Sequence, residues 1–568
     1  MEDKRNIIVA MVLAMLILFG WQFATDYFMP PQAPATKAAA GQPVAAEQAG
    51  SVPQSERAAT TRRLATALTE SPRIAIDTPK LRGSINLRGA RIDDLVMLTY
   101  RQTIAEGSPP VRLFSPAGTR GFFFAGAGWS GAGLNAPGAD TVWTAPAGAK
   151  LTPTTPVTLT HDNGAGQVFT LSFSVDENYL FNVEQRVANN GAAPVAVSPY
   201  AFVNRKGVSP DLDTWTIHSG AMGVFNGAAD YINVDRIRDV PQATLAQRTT
   251  GGWLGFTDHF WLGAVIPDQR VAVDTSFRRT DGAVYQADFS EPERILAPGT
   301  VRTSSTRIFA GAKETDVLDT YADSGIALFD YATDWGWFAW FAKPIFYLLD
   351  WLFTQISNFG FAIMALTLII RLIMFPIAQR QFASMAQMRI VQPKVKALQE
   401  KYKDDKQRQQ QEMMQLYKTE KINPLAGCLP IVIQIPIFYA LYKVLMLTVE
   451  MRHQPFALWI KDLSAPDPAM ILNLFGLLPF TPPAFLGIGV LAVLLGVSMW
   501  MQFKLNPPMP DPVQAQVFAL MPWMMMFVMA PFAAGLLLYW ITNNILTIAQ
   551  QRLLYARYPE MKAAMAKS

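Results

Sequence analysis

The sequence GFAIMALTLIIRLIMFP, residues 360–376, decides the fold class of this chain. Arg371 is its only charged residue, and with its neighbours the stretch forms an apolar run from about 358 to 378. At about 1.5 Å per residue, a helix of this length matches the roughly 30 Å hydrocarbon core of a bilayer. The stretch therefore predicts a transmembrane helix that carries a cation in its interior.

Apolar runs elsewhere in the chain predict a polytopic α-helical membrane protein with six spans. The apolar content is 51% and the charged content only 16%, as expected for a membrane protein. The other spans are predicted at about 7–29, 427–448, 484–503, 515–531 and 533–551. The first of these exceeds the apolar core of a signal peptide and lacks a small-x-small cleavage site, so we interpret residues 1–29 as an uncleaved anchor.

The distribution of Lys and Arg predicts the orientation. Ten lie between Arg380 and Lys421, two between Thr448 and Pro483, and four after Gln551. Short cytoplasmic segments carry the excess of basic residues. The sequence therefore places the segment after the second span and both termini in the cytoplasm, with a short basic tail at 552–568.

A large polar region separates the first two predicted spans. Residues 30–60 are rich in Ala, Pro and Gln and predict a flexible linker. From 61 to 325 the chain shows short alternating runs, such as Phe169, Leu171 and Phe173, which are typical of half-buried strands. Turn signals at Asn163-Gly164 and Asn189-Asn190-Gly191 predict antiparallel hairpins. This region is predicted to be an extracytoplasmic β-sandwich.

Two segments next to the predicted spans have their own patterns. Residues 335–356 are rich in aromatic side chains and predict an amphipathic helix in the membrane interface. Residues 380–425 contain helix formers with a break near Lys403–Lys406, which predicts a cytoplasmic helical hairpin. Its methionines could form an adaptable surface for a client chain or pack the seam of the hairpin itself; they are Met385, Met388, Met413 and Met414.

Polar residues inside the predicted spans are the candidate functional site. Placing Arg371 in mid-helix costs about 2.5–3.5 kcal/mol on insertion-based scales, and the five spans from 358 onward contain no acidic residue to pair with it. Polar residues on several helices could line a hydrated groove around it; they are Thr367, Gln434, Gln502, Asn543, Thr547 and Gln550. The last three form one stripe on a helix. The alternative is that these residues join helices to one another and that Arg371 extends toward the headgroups.

Several short motifs resemble the core of the YidC family of membrane protein insertases in order and spacing. They are the 360–376 stretch, QFASMAQMR at 381–389, NPL at 423–425, QIPIF at 434–438 and PFALW at 455–459. The resemblance covers about 335–555, and the anchor and β domain resemble the layout of the Gram-negative form of the family.

The resemblance implies a bacterial inner-membrane insertase and chaperone without cofactors. It implies a five-helix core at 358–551 around a polar groove, a periplasmic β-supersandwich, and a client contact at Trp540. The implied partners are nascent membrane proteins, the Sec translocon, membrane lipids, and the ribosome with the signal recognition machinery, but no DNA.

Other functional classes have little support in the sequence. The segment Gly126–Gly131 fits GxGxxG, but the residues after it cannot open a helix, so we interpret it as a loop rather than a phosphate site. The four histidines have no metal-ligand spacing, and no hydrolase motif or P-loop occurs, so no enzyme activity and no metal site are predicted. The main alternative is a transporter or lipid-handling protein that binds an anionic solute at Arg371.

Overall fold

The computed structural model divides the chain into a β-rich unit and a helical unit, which begins at Gly336. It describes residues 62–207, 209, 217–280, 282–402, 405–420, 429–475, 477–478, 480, 482, 487–505 and 512–555. The predicted anchor at 1–29, the linker at 30–60 and most of the tail at 552–568 lie outside these residues.

Two antiparallel sheets form the β-rich unit. The first has eleven strands, in the order β13-β16-β17-β10-β5-β3-β2-β1-β6, with β18 on β10 and β4 on β3; the short β1–β6 pair is parallel. The second has eight strands, in the order β12-β11-β14-β15-β19-β9-β8-β7. The strands are β1 Arg73–Asp77, β2 Leu81–Asn86, β3 Arg91–Arg101, β4 Pro110–Phe114, β5 Phe123–Ser130, β6 Lys150–Leu151, β7 Val157–Asp162, β8 Gln167–Val175, β9 Leu180–Asn189, β10 Val195–Lys206, β11 Gly220–Phe225, β12 Ala228–Ile232, β13 Thr244–Thr250, β14 Trp253–Thr257, β15 Trp261–Ile266, β16 Ala272–Thr280, β17 Val284–Ser290, β18 Arg294–Leu296 and β19 Val301–Ala312.

The strand β8 shows how the sequence pattern produces this sandwich. Phe169, Leu171 and Phe173 are fully or almost fully buried, while the residues between them are half-exposed. β8 pairs with β7 across the turn that contains Asn163-Gly164, where the Asn163 Oδ1 accepts the Ala165 N–H. The predicted strand and hairpin are both confirmed.

Aromatic side chains from both sheets fill one shared core. Phe123 of β5 approaches Phe256 of β14 with ring centroids 6.5 Å apart, and Phe256 in turn approaches Phe277 of β16 at 6.1 Å. All three rings are buried. Buried apolar area of this kind is the main stabilising contribution to a sandwich.

Two sequence predictions within this unit are wrong. The turn at Asn189-Asn190-Gly191 does not close a hairpin: β9 pairs with β8 and β19, whereas β10 belongs to the other sheet. The Asn189 side chain is buried and donates to the carbonyls of Ala193 and Leu296 at 2.9 and 3.0 Å. This amide therefore fixes a crossover between sheets rather than an exposed turn.

The GxGxxG segment is also a strand, not the predicted loop. Gly126 and Gly128 lie within β5, opposite Phe202 and Tyr200 of β10. A Cβ atom at Gly126 would lie 2.9 Å from the Phe202 ring, and one at Gly128 would lie 2.8 Å from the Tyr200 hydroxyl. The glycines are required because large rings cross the sheet face at these positions.

Short helices accompany the β-rich unit, and longer ones build the helical unit. The first group comprises α1 Leu64–Thr69, α2 Val234–Asp239 and α3 Thr315–Asp323. The second comprises α4 Ala339–Ile356, α5 Phe359–Ile373, α6 Phe375–Lys401, α7 Lys406–Thr419, α8 Leu429–Leu447, α9 Val490–Leu505, α10 Pro512–Met529 and α11 Ala534–Tyr555. Among the described helices, none combines the length and the apolarity needed to cross a membrane.

The helix that carries Arg371 is shorter than the predicted run at 358–378. α5 ends at Ile373, and α6 begins at Phe375 with Pro376 in its first turn. Proline is tolerated there because the first N–H groups of a helix have no intrahelical partner. Arg371 therefore lies in the last turn of α5, where a cation interacts favourably with the helix dipole.

The helix α4 has two different faces. Ala342, Ile345 and Leu349 are buried, whereas Trp340 and Trp351 are exposed. The aromatic side chains at the exposed face correspond to the pattern from which the sequence predicted an interfacial helix at 335–356. The observed helix begins at Ala339, after a short 3-10 turn at Gly336–Phe338.

Candidate functional site

The start of α5 is anchored by contacts with the PFALW segment. The Asn358 side chain accepts the Phe361 N–H at 3.2 Å and donates to the Phe456 carbonyl at 2.9 Å. Gly360 faces the Phe456 ring so closely that a Cβ atom would lie 2.0 Å from it. These contacts fix the position of the helix whose last turn carries Arg371.

Arg371 contacts the last helix of the core through a neutral side chain. Its Nε–H donates to the Asn543 Oδ1 at 2.8 Å, joining α5 to α11. Within the part of the chain that the structure describes, no carboxylate forms an ion pair with Arg371. Asn543 satisfies only one of the five N–H donors of the guanidinium.

Asn543 belongs to a polar stripe on α11. One turn earlier on the same helix, Tyr539 is buried and its hydroxyl accepts a hydrogen bond from the Gln434 amide of α8. One turn later, the Thr547 hydroxyl donates to the Asn543 carbonyl at 2.6 Å. The stripe thus meets two other helices, and it brings Arg371, Gln434, Asn543 and Thr547 into one region.

A second polar side of α11 faces α9. The Asn544 amide donates to the Ser498 hydroxyl at 3.0 Å, and the Gln551 amide donates to the Leu505 carbonyl at 3.1 Å. Asn544 and Gln551 are fully or almost fully buried. These contacts join two helices, which is the alternative role that the sequence left open for polar residues in the spans.

Two glutamines have no hydrogen-bond partner among the described residues. The Nε2 and Oε1 atoms of Gln550 are both inaccessible to solvent and both unpaired. Gln502 of α9 is half-buried and makes no hydrogen bond with the described part of the chain. An unpaired buried amide costs about 1–3 kcal/mol, so any partner that Gln550 gained would stabilise it.

The remaining predicted groove residues have other neighbours. Thr367 is 1% exposed, and its hydroxyl donates to the Ile363 carbonyl of its own helix at 2.6 Å. Trp540 is half-buried and packs on Phe438 with ring centroids 5.0 Å apart. The structure therefore places Thr367 inside the helix packing and Trp540 against α8.

Tyr539 is the residue of this region that the sequence analysis missed. It lies four residues before Asn543, so it continues the stripe of Asn543 and Thr547 toward the start of α11. A tyrosine in an apolar run is easily counted as a hydrophobic residue. The period of the stripe was the signal that could have identified it.

Comparison with known proteins identifies the family. Residues 73–348 match the family model described as "YidC periplasmic domain", and residues 351–562 match "60Kd inner membrane protein". A relative from Zymomonas mobilis, "Membrane protein insertase YidC", is 46% identical over 98% of this chain and 96% of its own length. The chain belongs to the YidC family of membrane protein insertases. It is an inner-membrane insertase with a large periplasmic β domain.

Other relatives of the insertase agree in length. A protein from Rhizobium etli with the same name is 44% identical over 98% of this chain and 96% of its own length. Among solved structures, "Active YidC insertase crystal structure with the first transmembrane domain resolved" has a TM-score of 0.36 and 19% identity, and it covers 85% of this chain and 95% of that one.

The hairpin of the insertase consists of α6 and α7, on either side of 402–405. Asp405 caps α7 by accepting the Arg408 N–H at 3.0 Å. Met413 packs against Val391 and Val395 in the seam between the two helices, whereas Met414 is 56% exposed. The side chains of Met385 and Met388 lie outside the described residues. The two described methionines therefore have different surroundings: Met413 packs in the seam, and Met414 faces outward.

In the described part of the insertase, no group of three or more His, Cys, Asp or Glu side chains lies close enough to hold a metal ion.

Proposed function

We propose that the insertase receives the polar part of a client chain at Arg371, in a hydrated groove among α5, α8, α9 and α11. The observation that carries this proposal is the hydrogen bonding of Arg371. Its Nε is held by Asn543, and no described carboxylate neutralises the guanidinium. The fork geometry of a guanidinium suits a carboxylate, so an acidic residue of the client is its natural ligand.

The energetic role of the groove follows from the cost of moving polar groups through hydrocarbon. Each unpaired backbone group costs several kcal/mol in the bilayer core. Water and polar side chains at mid-membrane shorten the apolar path, and Arg371 lowers the cost of an acidic side chain on that path. The client then moves sideways into lipid without nucleotide, cofactor or covalent chemistry.

The amides of Gln550 and Gln502 extend this site. Each offers two donors and an acceptor, which match an unpaired peptide group of the client. Gln550 would gain most, because neither polar atom of its amide has a partner among the described residues. Trp540 adds an apolar wall for the side chains of the client.

This proposal includes the predicted topology and partners. Six spans place both termini and the α6–α7 hairpin in the cytoplasm and the β domain in the periplasm. The hairpin region at 380–421 holds ten basic residues and is suited to contact the ribosome, the signal recognition machinery or anionic lipid. The clients are nascent membrane proteins, inserted alone or beside the Sec translocon.

Photocrosslinking during synthesis of a short two-span client tests the proposal. Probes at Gln502 and Trp540 should capture the client, whereas a probe at Ile545, which is 55% exposed on α11, should capture lipid. Arg371→Ala should reduce insertion. Equal client capture from all three positions, or no capture with normal insertion, would return the polar stripe to a purely structural role.

The transporter alternative finds no support in the comparisons. The relatives that are 44–46% identical over nearly the whole chain are named as insertases. No described contact of Arg371 favours a small anion over an acidic side chain.

A further inference from the structure

The connection between α8 and α9 exposes an unusual number of large apolar side chains. Leu477 is 81% exposed and Phe475 59% exposed. The other half-exposed or more exposed side chains of this segment are Ile471, Leu472, Leu474, Leu478 and Phe480. Large apolar side chains exposed in this number are rare on a protein face in water and mark a contact with lipid or another chain.

A buried carboxylate holds the described part of this segment, which we call the loop; its described residues are 468–475, 477, 478, 480, 482 and 487–489. Asp467 is 3% exposed and accepts three hydrogen bonds. They come from the Trp459 Nε1–H at 2.9 Å, the Ala469 N–H at 3.0 Å and the Leu491 N–H at 2.8 Å. The last is in the first turn of α9, so Asp467 also caps that helix. The apolar side chains are thus displayed by a built loop.

Backbone hydrogen bonds inside the loop satisfy several of its own N–H and carbonyl groups without water. The N–H of Leu474 donates to Ile471 O at 3.0 Å, that of Phe475 to Met470 O at 2.8 Å, and that of Leu478 to Asn473 O at 3.0 Å. Asn473 is the only residue with a polar side chain between Pro468 and Phe480, and it is 8% exposed. An environment that cannot form hydrogen bonds therefore costs these backbone groups little.

The helix that follows the loop also exposes apolar side chains. Leu494, Val497 and Met501 of α9 are 45%, 37% and 43% exposed and follow one another at helical spacing. The sequence has no charged residue between Asp467 and Lys504. The loop and α9 up to Phe503 thus carry no charge that would oppose contact with lipid.

We propose that the described apolar side chains of this loop, from Ile471 to Phe480, are immersed among the acyl chains of the periplasmic leaflet. The inference rests on the proposed topology, in which the connection between α8 and α9 lies on the periplasmic side. Lipid fits the surface better than a protein partner, because a protein interface has a polar rim around its apolar centre and this segment lacks charge on all sides. Because Asp467 joins the loop to the first turn of α9, the loop anchors that end of α9 in the membrane.

Spin-label accessibility in the full-length insertase, reconstituted alone in lipid nanodiscs, tests this proposal. Cys428, the only cysteine, is first replaced by Ala. Single cysteines are then placed by Leu477→Cys in the loop, Leu494→Cys on α9 and Ile295→Cys in the β domain, where Ile295 is 70% exposed. Collision rates are measured with oxygen, which concentrates in lipid, and with a polar nickel chelate, which stays in water.

The Leu477 label should resemble the Leu494 label, with frequent oxygen collisions and few nickel collisions, while the Ile295 label shows the reverse. A Leu477 label that resembles the Ile295 label would place the loop in water and overturn the proposal. A label shielded from both reagents would mean that protein, such as a second copy of the chain, covers the loop, which also overturns it. Client insertion by the same variants is assayed separately, because a water-exposed loop with normal insertion would refute this inference and leave the proposed groove intact.

Discussion

The two units of the insertase hold an arginine away from bulk water in opposite ways: Arg278 is buried and Arg371 is half-buried. In the β domain, Arg278 is 7% exposed and donates to both carboxylate oxygens of Asp288, at 3.1 and 2.7 Å. In the helical unit, Arg371 donates through Nε to neutral Asn543 and has no ion pair among the described residues. The first cation is neutralised within the fold. We propose that the second retains its charge for a client, which would make Arg278 a structural arginine and Arg371 a functional one.

The largest expected effect is on the stability of the β domain. Asp288→Ala should lower its free energy of unfolding by about 3–5 kcal/mol, because Arg278 is left as an uncompensated buried charge. Hydrogen exchange of β16 and β17 amides in the full-length protein measures the loss. The double variant Arg278→Met with Asp288→Leu should recover most of it. A single variant as stable as the wild type would show that the pair does not hold this sheet.

Arg371→Ala should give the opposite result, with a large effect on function and a small one on stability. Insertion of a client with an acidic polar segment should fall about tenfold or more, since a hydrogen bond to a charged group is worth about 1.5–3 kcal/mol. The core should lose only about 0.6 kcal/mol, the typical value of a hydrogen bond between helices in a membrane.

The control for this variant is Arg552→Ala, which removes an exposed cation in the last turn of α11. Insertion should then remain near the wild-type level. Equal losses from both variants would mean that positive charge near the cytoplasm, rather than the position of Arg371, supports insertion.

Gln550 and Gln551 allow the same comparison, between a side chain proposed to bind the client and one that joins helices, within α11. Gln550→Leu should leave stability unchanged or raise it, because the amide has no partner in the part of the chain that the structure describes, yet client crosslinking at Gln502 should fall. Gln551→Leu removes the bond to Leu505 and should lower stability by about 0.5–1.5 kcal/mol. Thermal unfolding and crosslinking yield are measured on the same samples. A clear loss of stability in Gln550→Leu would contradict its assignment to the client.

Asn543 and Asn544 provide a similar test with smaller effects. Asn543→Ala frees the Arg371 Nε and should reduce insertion about threefold, which corresponds to the typical 0.6 kcal/mol of one such hydrogen bond. Asn544→Ala breaks the bond to Ser498 and should lower thermal stability with insertion per folded molecule unchanged. If Asn544→Ala reduced insertion and Asn543→Ala reduced only stability, the client would be assigned to the Asn544 side of α11 instead.

The smallest effects are expected at the hairpin. Met413→Ser should loosen the α6–α7 seam and increase proteolysis there, because Met413 packs on Val391 and Val395. Met414→Ser should leave proteolysis unchanged and weaken crosslinks from the hairpin to the client, because Met414 is exposed. Identical behaviour of the two variants would refute the assignment of Met413 to the seam and Met414 to the client.

Local patterns in the sequence predicted the elements of the fold better than their partners. The alternation along β8 depends on which face of one strand is buried, and it was correct. The crossover after Asn189 and the glycines of β5 depend on strands far along the chain, whose rings and carbonyls no local window contains.

The candidate site shows the same limit. The stripe of Asn543, Thr547 and Gln550 could be predicted from helical spacing, and a lone arginine in an apolar run is visible in any sequence. The Arg371–Asn543 bond joins residues 172 positions apart, and the separate roles of Asn543 and Asn544 depend on which helix each one faces. Helix packing decides both, and a single sequence does not encode it in any short window.

A charge exchange between insertase and client tests the central claim most directly. Insertion is measured for Arg371→Glu with the original client and with a client whose acidic residue in the polar segment is replaced by Lys, beside the same two clients on the wild-type protein. We predict that Arg371→Glu fails with the acidic client and recovers with the Lys client, while the wild type prefers the acidic one. Equal failure of Arg371→Glu with both clients would contradict a direct pairing between Arg371 and the client.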